Sequence, residues 1–172
     1  MKNVFILILG GLMLYTPLFS QTTEEEAIKN LVIEEGRAFM RGNLEAFMGF
    51  YANTPYILWT VTNLGEPGDV LTFRGYDALK GYAESMPWFK SFKPENSQRP
   101  VPDPVRNNWQ FQFRGNIAMV NFDEHWINDK ANTKVTGTVI KILERINDQW
   151  KIITTSVLVD FKDATPPIRT KY

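Results

Sequence analysis

Cysteine is absent from all 172 residues, and His125 is the single histidine. Without cysteine there is no disulfide and no thiol for lipid attachment. One imidazole and no thiolate cannot assemble a tetrahedral zinc set from the usual ligands. No acidic cluster has the spacing of a calcium loop. Net charge is missing too: Lys+Arg and Asp+Glu are both 19, so the chain carries no electrostatic footprint for nucleic acid. No glycine-rich phosphate loop follows a strand pattern, no nucleophile elbow is present, and no segment repeats. Metal-centred, nucleotide-dependent and serine or cysteine hydrolase chemistry therefore find no support, and no cofactor is indicated.

Long apolar runs are scarce, with one exception at residues 4–15, broken only by Gly10-Gly11. Lys2 precedes it, Thr16-Pro17 ends it, and Ser20 is a small residue suited to precede a cut. This is the pattern of a signal peptide. The run falls short of the roughly 20 residues a bilayer span needs. The reading is a signal peptide over 1–20, a domain over 21–163 and a tail over 164–172. The expected location is exported, periplasmic or secreted, with no stable membrane anchor after cleavage.

What is present is helix first and sheet last. Thr23 and Glu26 form a capping box, and Ile28, Leu31, Val32 and Phe39 lie along one stripe with Glu35 inside it or at its edge. That predicts a helix to about Arg41, ended by Gly42. Asn43 caps a second short helix, and Gly75 opens a third that reaches Pro87. Strands are expected at 56–61 and 70–74, with a turn at 65–69 between them. Four longer strands follow, at 109–114, 117–128, 134–146 and 149–161, joined by Gly115-Asn116, a polar turn at 129–132 and Asn147-Asp148. The prediction is an α+β fold: a cone-shaped, curved antiparallel sheet wrapped around three N-terminal helices, a cystatin-like roll.

Turn positions fix the register, and directly opposed residues share a face. Counting from Gly115-Asn116 puts Trp109, Phe111, Phe113, Ala118, Val120, Phe122, Glu124 and Trp126 on one apolar face. Gln110, Gln112, Asn121, Asp123 and His125 fall on the other. Counting from Asn147-Asp148 puts Thr138, Ile140, Ile142, Ile153, Thr155 and Val157 on the inner face, with Lys141, Arg145 and Trp150 on a half-wet reverse. A β-bulge would flip the parity beyond it. Glu124 stands out as a carboxylate between Phe122 and Trp126, with Asn107 roughly opposite and no Lys or Arg nearby on that face. Apolar surroundings penalise a charged carboxylate, which suits a proton donor or acceptor.

Three segments carry a resemblance: Met40-Arg41-Gly42-Asn43-Leu44-Glu45-Ala46-Phe47, Gly115-Asn116-Ile117-Ala118-Met119-Val120 and Asn147-Asp148-Gln149-Trp150-Lys151-Ile152. With the order of elements, they resemble the nuclear transport factor 2-like superfamily, and within it the small SnoaL-like domains. The resemblance implies a cone with a pocket at its open end. It is compatible with isomerases, dehydratases, cyclases, hydrolases, ligand binders and dimerising adaptors. The chain departs from many catalytic members, which carry a His or Asp after the third segment; here Thr154, Thr155 and Ser156 stand there. The expectation is an exported domain binding a small apolar ligand, its pocket lined by Tyr51, Trp59, Tyr82, Trp109, Trp126, Thr138 and Thr155. The alternatives are an acid–base enzyme using Glu124 as its catalytic residue, and a homodimeric interaction module. A homodimer is expected through the outer sheet face, where the register places Met119, Trp150, Ile152 and Leu158.

Overall fold

Helix α1, Thr16–Arg41, stops at a glycine that takes φ 73°. The Asn43 amide donates to the Ala38 carbonyl and the Gly42 amide to Phe39, each at 3.0 Å, which closes the helix in a Schellman turn. A side chain at Gly42 would also collide with the Trp88 carbonyl. Asn43 caps α2, Leu44–Gly49, by accepting from the Ala46 amide at 3.1 Å. The structure, a computed structural model, describes residues 16–62, 70–98, 100–101, 103–128 and 133–165. The expected leader up to residue 15, the turns at 65–69 and 129–132, and the tail from 166 lie outside the described residues. Because α1 begins at Thr16, Thr23 sits two turns inside it and not at its cap. No described helix is long and apolar enough to cross a membrane.

Strands β1, Leu58–Thr62, and β2, Val70–Arg74, precede α3, Tyr76–Ser85, and the short α4, Pro87–Lys90. Pro87 starts this fourth helix, where its missing N–H costs nothing. Four strands complete the chain: β3, Val105–Arg114; β4, Ile117–Asn128; β5, Thr133–Ile146; and β6, Gln149–Thr165. The six strands form one curved sheet in the order β2-β1-β6-β5-β4-β3. The sheet is mixed and not wholly antiparallel, because β1 runs parallel to β6. Helical residues Ile28, Val32, Ala38, Phe47, Met48, Leu79 and Ala83 are buried against Ala118, Val120, Phe122, Val139, Leu143 and Ile152 of the sheet.

Two register shifts decide which side chains face this core. From Arg114↔Ile117 to Gln110↔Asn121 the β3–β4 pairing follows the count from the turn. A bulge at Asn108, φ 54°, then moves the register by one residue, so Arg106 and not Asn107 stands opposite Glu124. The β5–β6 hairpin reverses through Asn147 and Asp148, both at positive φ. Nearest the turn, Leu143 and Ile152 are fully enclosed, so the inner face there is the one assigned to the wet side. Trp150 and Ile152 consequently belong to the core side, and Met119 and Leu158 to the outer side; the four residues expected to form one outer patch are divided between the two faces. A second shift at Ile142/Leu143 restores Thr155 to the inside, opposite Lys141.

Helix α1 is tied to the sheet by ions as well as by packing. Arg145 and the Trp150 indole both donate to the Glu24 carboxylate, and the guanidinium holds that carboxyl below its ordinary range. Farther along, Arg37 binds Asp103 at 2.6 Å.

Candidate functional site

Four polar side chains, from three elements and one connecting segment, meet inside the cone. Glu35 comes from the buried stripe of α1, Lys141 from β5 and Thr155 from β6. Tyr51 comes from the segment after α2, which pairs with β6: Ala52 donates to Ile152 at 3.0 Å and Ile152 to Phe50 at 2.9 Å. That pairing fixes the Tyr51 ring over the sheet. All four residues are buried, from 7% exposed for Glu35 down to 1% for Thr155.

The Tyr51 hydroxyl donates to Glu35 Oε1 at 2.6 Å. Lys141 Nζ donates to Glu35 Oε2 at 3.3 Å and to Thr155 Oγ1 at 3.1 Å. The Tyr51 and Thr155 hydroxyls are 3.4 Å apart, which closes the ring of contacts. Burial, followed by the Glu35 charge beside it, pushes the Tyr51 phenol well above the ordinary tyrosine range. Tyr51 is therefore a neutral donor across physiological pH. Trp59, opposite Thr155 in register, lies beside this cluster. Its ring lies 5.9 Å from both Phe73 and Tyr82, which stack on each other at 4.0 Å. The cluster thus combines a cation, a carboxylate and a neutral phenol beside a wall of rings. It can orient a polar group and hold a proton donor and an acceptor close together.

Among the expected pocket residues, Tyr51, Trp59, Tyr82 and Thr155 converge here. Glu124 belongs to a different cluster. Arg106 Nε donates to its Oε2 at 2.8 Å, and the Trp126 indole to its Oε1 at 2.7 Å. The side chains of Arg106 and Glu124 are 8% and 15% exposed. The isolated carboxylate expected from the register is thus an ion-paired one. A Cβ at Gly36 would fall 2.8 Å from the Arg106 guanidinium, so glycine on α1 leaves the cation its space. Trp109 stacks on Phe122 at 4.3 Å. Thr138 lies on the outer face, where it donates to Asp123 at 3.2 Å. Lys141 escaped the sequence reading because the hairpin count assigned it to the wrong side. Glu35 left a signal: a carboxylate within the apolar stripe of an amphipathic helix.

No protein-family model matches the sequence, and no curated protein does. Solved structures do match in fold. A nuclear transport factor 2-like protein of unknown function from Shewanella oneidensis aligns over 79% of this chain and 98% of its own, at 18% identity and TM-score 0.53. A cystatin-like protein of unknown function from Nostoc punctiforme aligns over 80% and 92%, at 14% identity and TM-score 0.59. A candidate scytalone dehydratase from Novosphingobium aromaticivorans aligns over 83% and 87%, at 14% identity and TM-score 0.59. The chain has the nuclear transport factor 2-like, cystatin-like fold.

Proposed function

We propose that this is an exported small-molecule-binding domain whose ligand enters the concave side of the sheet. Its apolar body lies against Trp59, Phe73 and Tyr82, and one polar group meets the Tyr51–Glu35–Lys141–Thr155 cluster. The observation that carries this reading is the buried Glu35–Lys141 pair, with side chains 9% and 5% exposed. Burying two charges costs several kcal/mol per ion before their attraction is counted. Apolar residues would serve stability alone as well or better. A charged cluster beside aromatic rings has the make-up of a small-molecule site, mostly apolar with a few convergent polar groups. Export rests on the leader pattern of residues 1–20.

An acid–base enzyme is the second reading. The short Tyr51–Glu35 hydrogen bond favours it, with those two residues in place of Glu124. Calorimetric titration of the chain from Gln21 with 2-naphthol, 2-naphthoate and naphthalene tests the binding reading. Saturable heat with the two polar probes, weakened in Tyr51→Phe while the fold persists by circular dichroism, is expected. Absence of heat with all three would remove it, and consumption of a bound probe would favour the enzyme.

A further inference from the structure

The side of the sheet turned away from the helices carries its own collection of polar groups, independent of the interior cluster. Two hollows, of about 320 and 420 Å³, lie there. Asn108, Gln110, Asn121, Asp123 and Thr138 line the first. Asp123, Thr138, Thr136, His125 and Leu158 line the second. Asp123 and Thr138 line both, so the two hollows adjoin and are taken together as one depression. Solvent-facing strands usually carry charges of both signs, yet neither lining contains a lysine, an arginine or a glutamate.

At the centre Asp123 is held in place. Thr138 donates to Oδ1 at 3.2 Å and Asn108 Nδ2 to Oδ2 at 2.7 Å. No cation forms an ion pair with Asp123 among the described residues. Asn108 reaches it from the β3 bulge, with its backbone in the left-handed region at φ 54°. Bulges commonly re-aim a side chain, and a side-chain-bearing residue in that region is uncommon. Gly137 lines the second hollow where a Cβ would fall 2.6 Å from the Leu158 carbonyl, so β5 and β6 approach there as only glycine allows.

We propose that this depression is a binding site, centred on Asp123, for a small neutral ligand rich in hydroxyl groups, a sugar or polyol. Each carboxylate oxygen has a lone pair left after its one donor, and the two together suit neighbouring hydroxyls. Asn121 Nδ2 donates to Gln110 Oε1 at 3.4 Å, and the remaining amide groups of the two side chains offer further donors and acceptors. With His125 the one basic side chain in the two linings and the Asp123 carboxylate at the centre, the depression disfavours phosphate and carboxylate ligands. Leu158, 48% exposed, supplies an apolar rim for the C–H face of a ring.

Amide chemical-shift titration of the ¹⁵N-labelled chain from Gln21 tests the site, with methyl glucoside and myo-inositol as probes and butylammonium chloride as the contrast. Saturable shifts at Asn108, Asn121, Asp123, His125 and Thr138 with a polyol are expected. Asp123→Ala should weaken them about tenfold, the usual loss for charge-assisted hydrogen bonds. Asn121→Ala, outside the Asp123 support, should weaken them in a chain whose spectrum stays folded, so a failure of Asp123→Ala to fold leaves the test standing. Four results would overturn the site: no shifts, shifts with butylammonium alone, shifts confined to residues around Tyr51 and Trp59, or shifts on the outer face that depend on protein concentration without probe. The last would mean that a second copy covers this face. Failure here leaves the interior reading intact, because the two sites lie on opposite faces of the sheet.

Discussion

Lys141 and Glu35 show how much one residue's surroundings decide. Each charge is tolerable inside the cone because the other stands 3.3 Å away and Tyr51 and Thr155 take up the remaining hydrogen bonds. Removing one partner strands the other. Lys141→Met should therefore destabilise the fold by about 3–5 kcal/mol, read from urea unfolding. Glu35→Gln added to it should recover much of the loss, since the uncompensated charge is then gone. An equal or larger loss in the double variant would show that the pair is not the source. Tyr51 adds a dependence on pH. Its folded-state phenol ionises well above the ordinary range, whereas the unfolded phenol ionises near pH 10. The resulting stabilisation is complete below about pH 10 and is lost as pH rises towards the folded value. Tyr51→Phe should lower stability at neutral pH by about 1 kcal/mol and flatten the alkaline decline of the urea midpoint. A decline of unchanged slope would assign it to other groups.

At the scale of elements, two bulges direct the chemistry. The one at Asn108 places Arg106 opposite Glu124, and Asn108 itself beside Asp123. The one at Ile142/Leu143 turns Thr155 inward to Lys141. A bulge adds one residue to a strand, and every later side chain changes face. Asn108→Val puts a β-branched residue at φ 54° and should cost about 1–2 kcal/mol. Hydrogen exchange should then quicken in residues 105–107 and 123–125. Asn108→Gly relieves the backbone and should keep that protection. Equal protection in both variants would show that the left-handed backbone is not a constraint.

For the whole molecule, α1 couples the N-terminal region to the sheet. Glu24 is clamped by Arg145 and Trp150, only three residues beyond Gln21. Exported protein should begin at Gln21 and keep the clamp; N-terminal sequencing that returned Met1 would refute this. Local chemistry made much of this architecture legible in advance. Gly42 and Asn43 marked the helix break, Gly75 the third helix, and the hairpin turns at Gly115-Asn116 and Asn147-Asp148 the sheet, because those residues select backbone conformations within a few positions. The first pairs beside each turn were equally legible, since a turn sets register locally. Only the tertiary structure decided the parallel docking of β1 on β6, the positions of the bulges and the inner face of the β5–β6 hairpin. These depend on where strands meet helices far away in sequence. So Lys141 entered the core to meet Glu35, 106 residues earlier, and Glu124 met Arg106 across a shifted register. No local pattern records either meeting, because an alternating strand reads the same from both faces until something is packed against one of them.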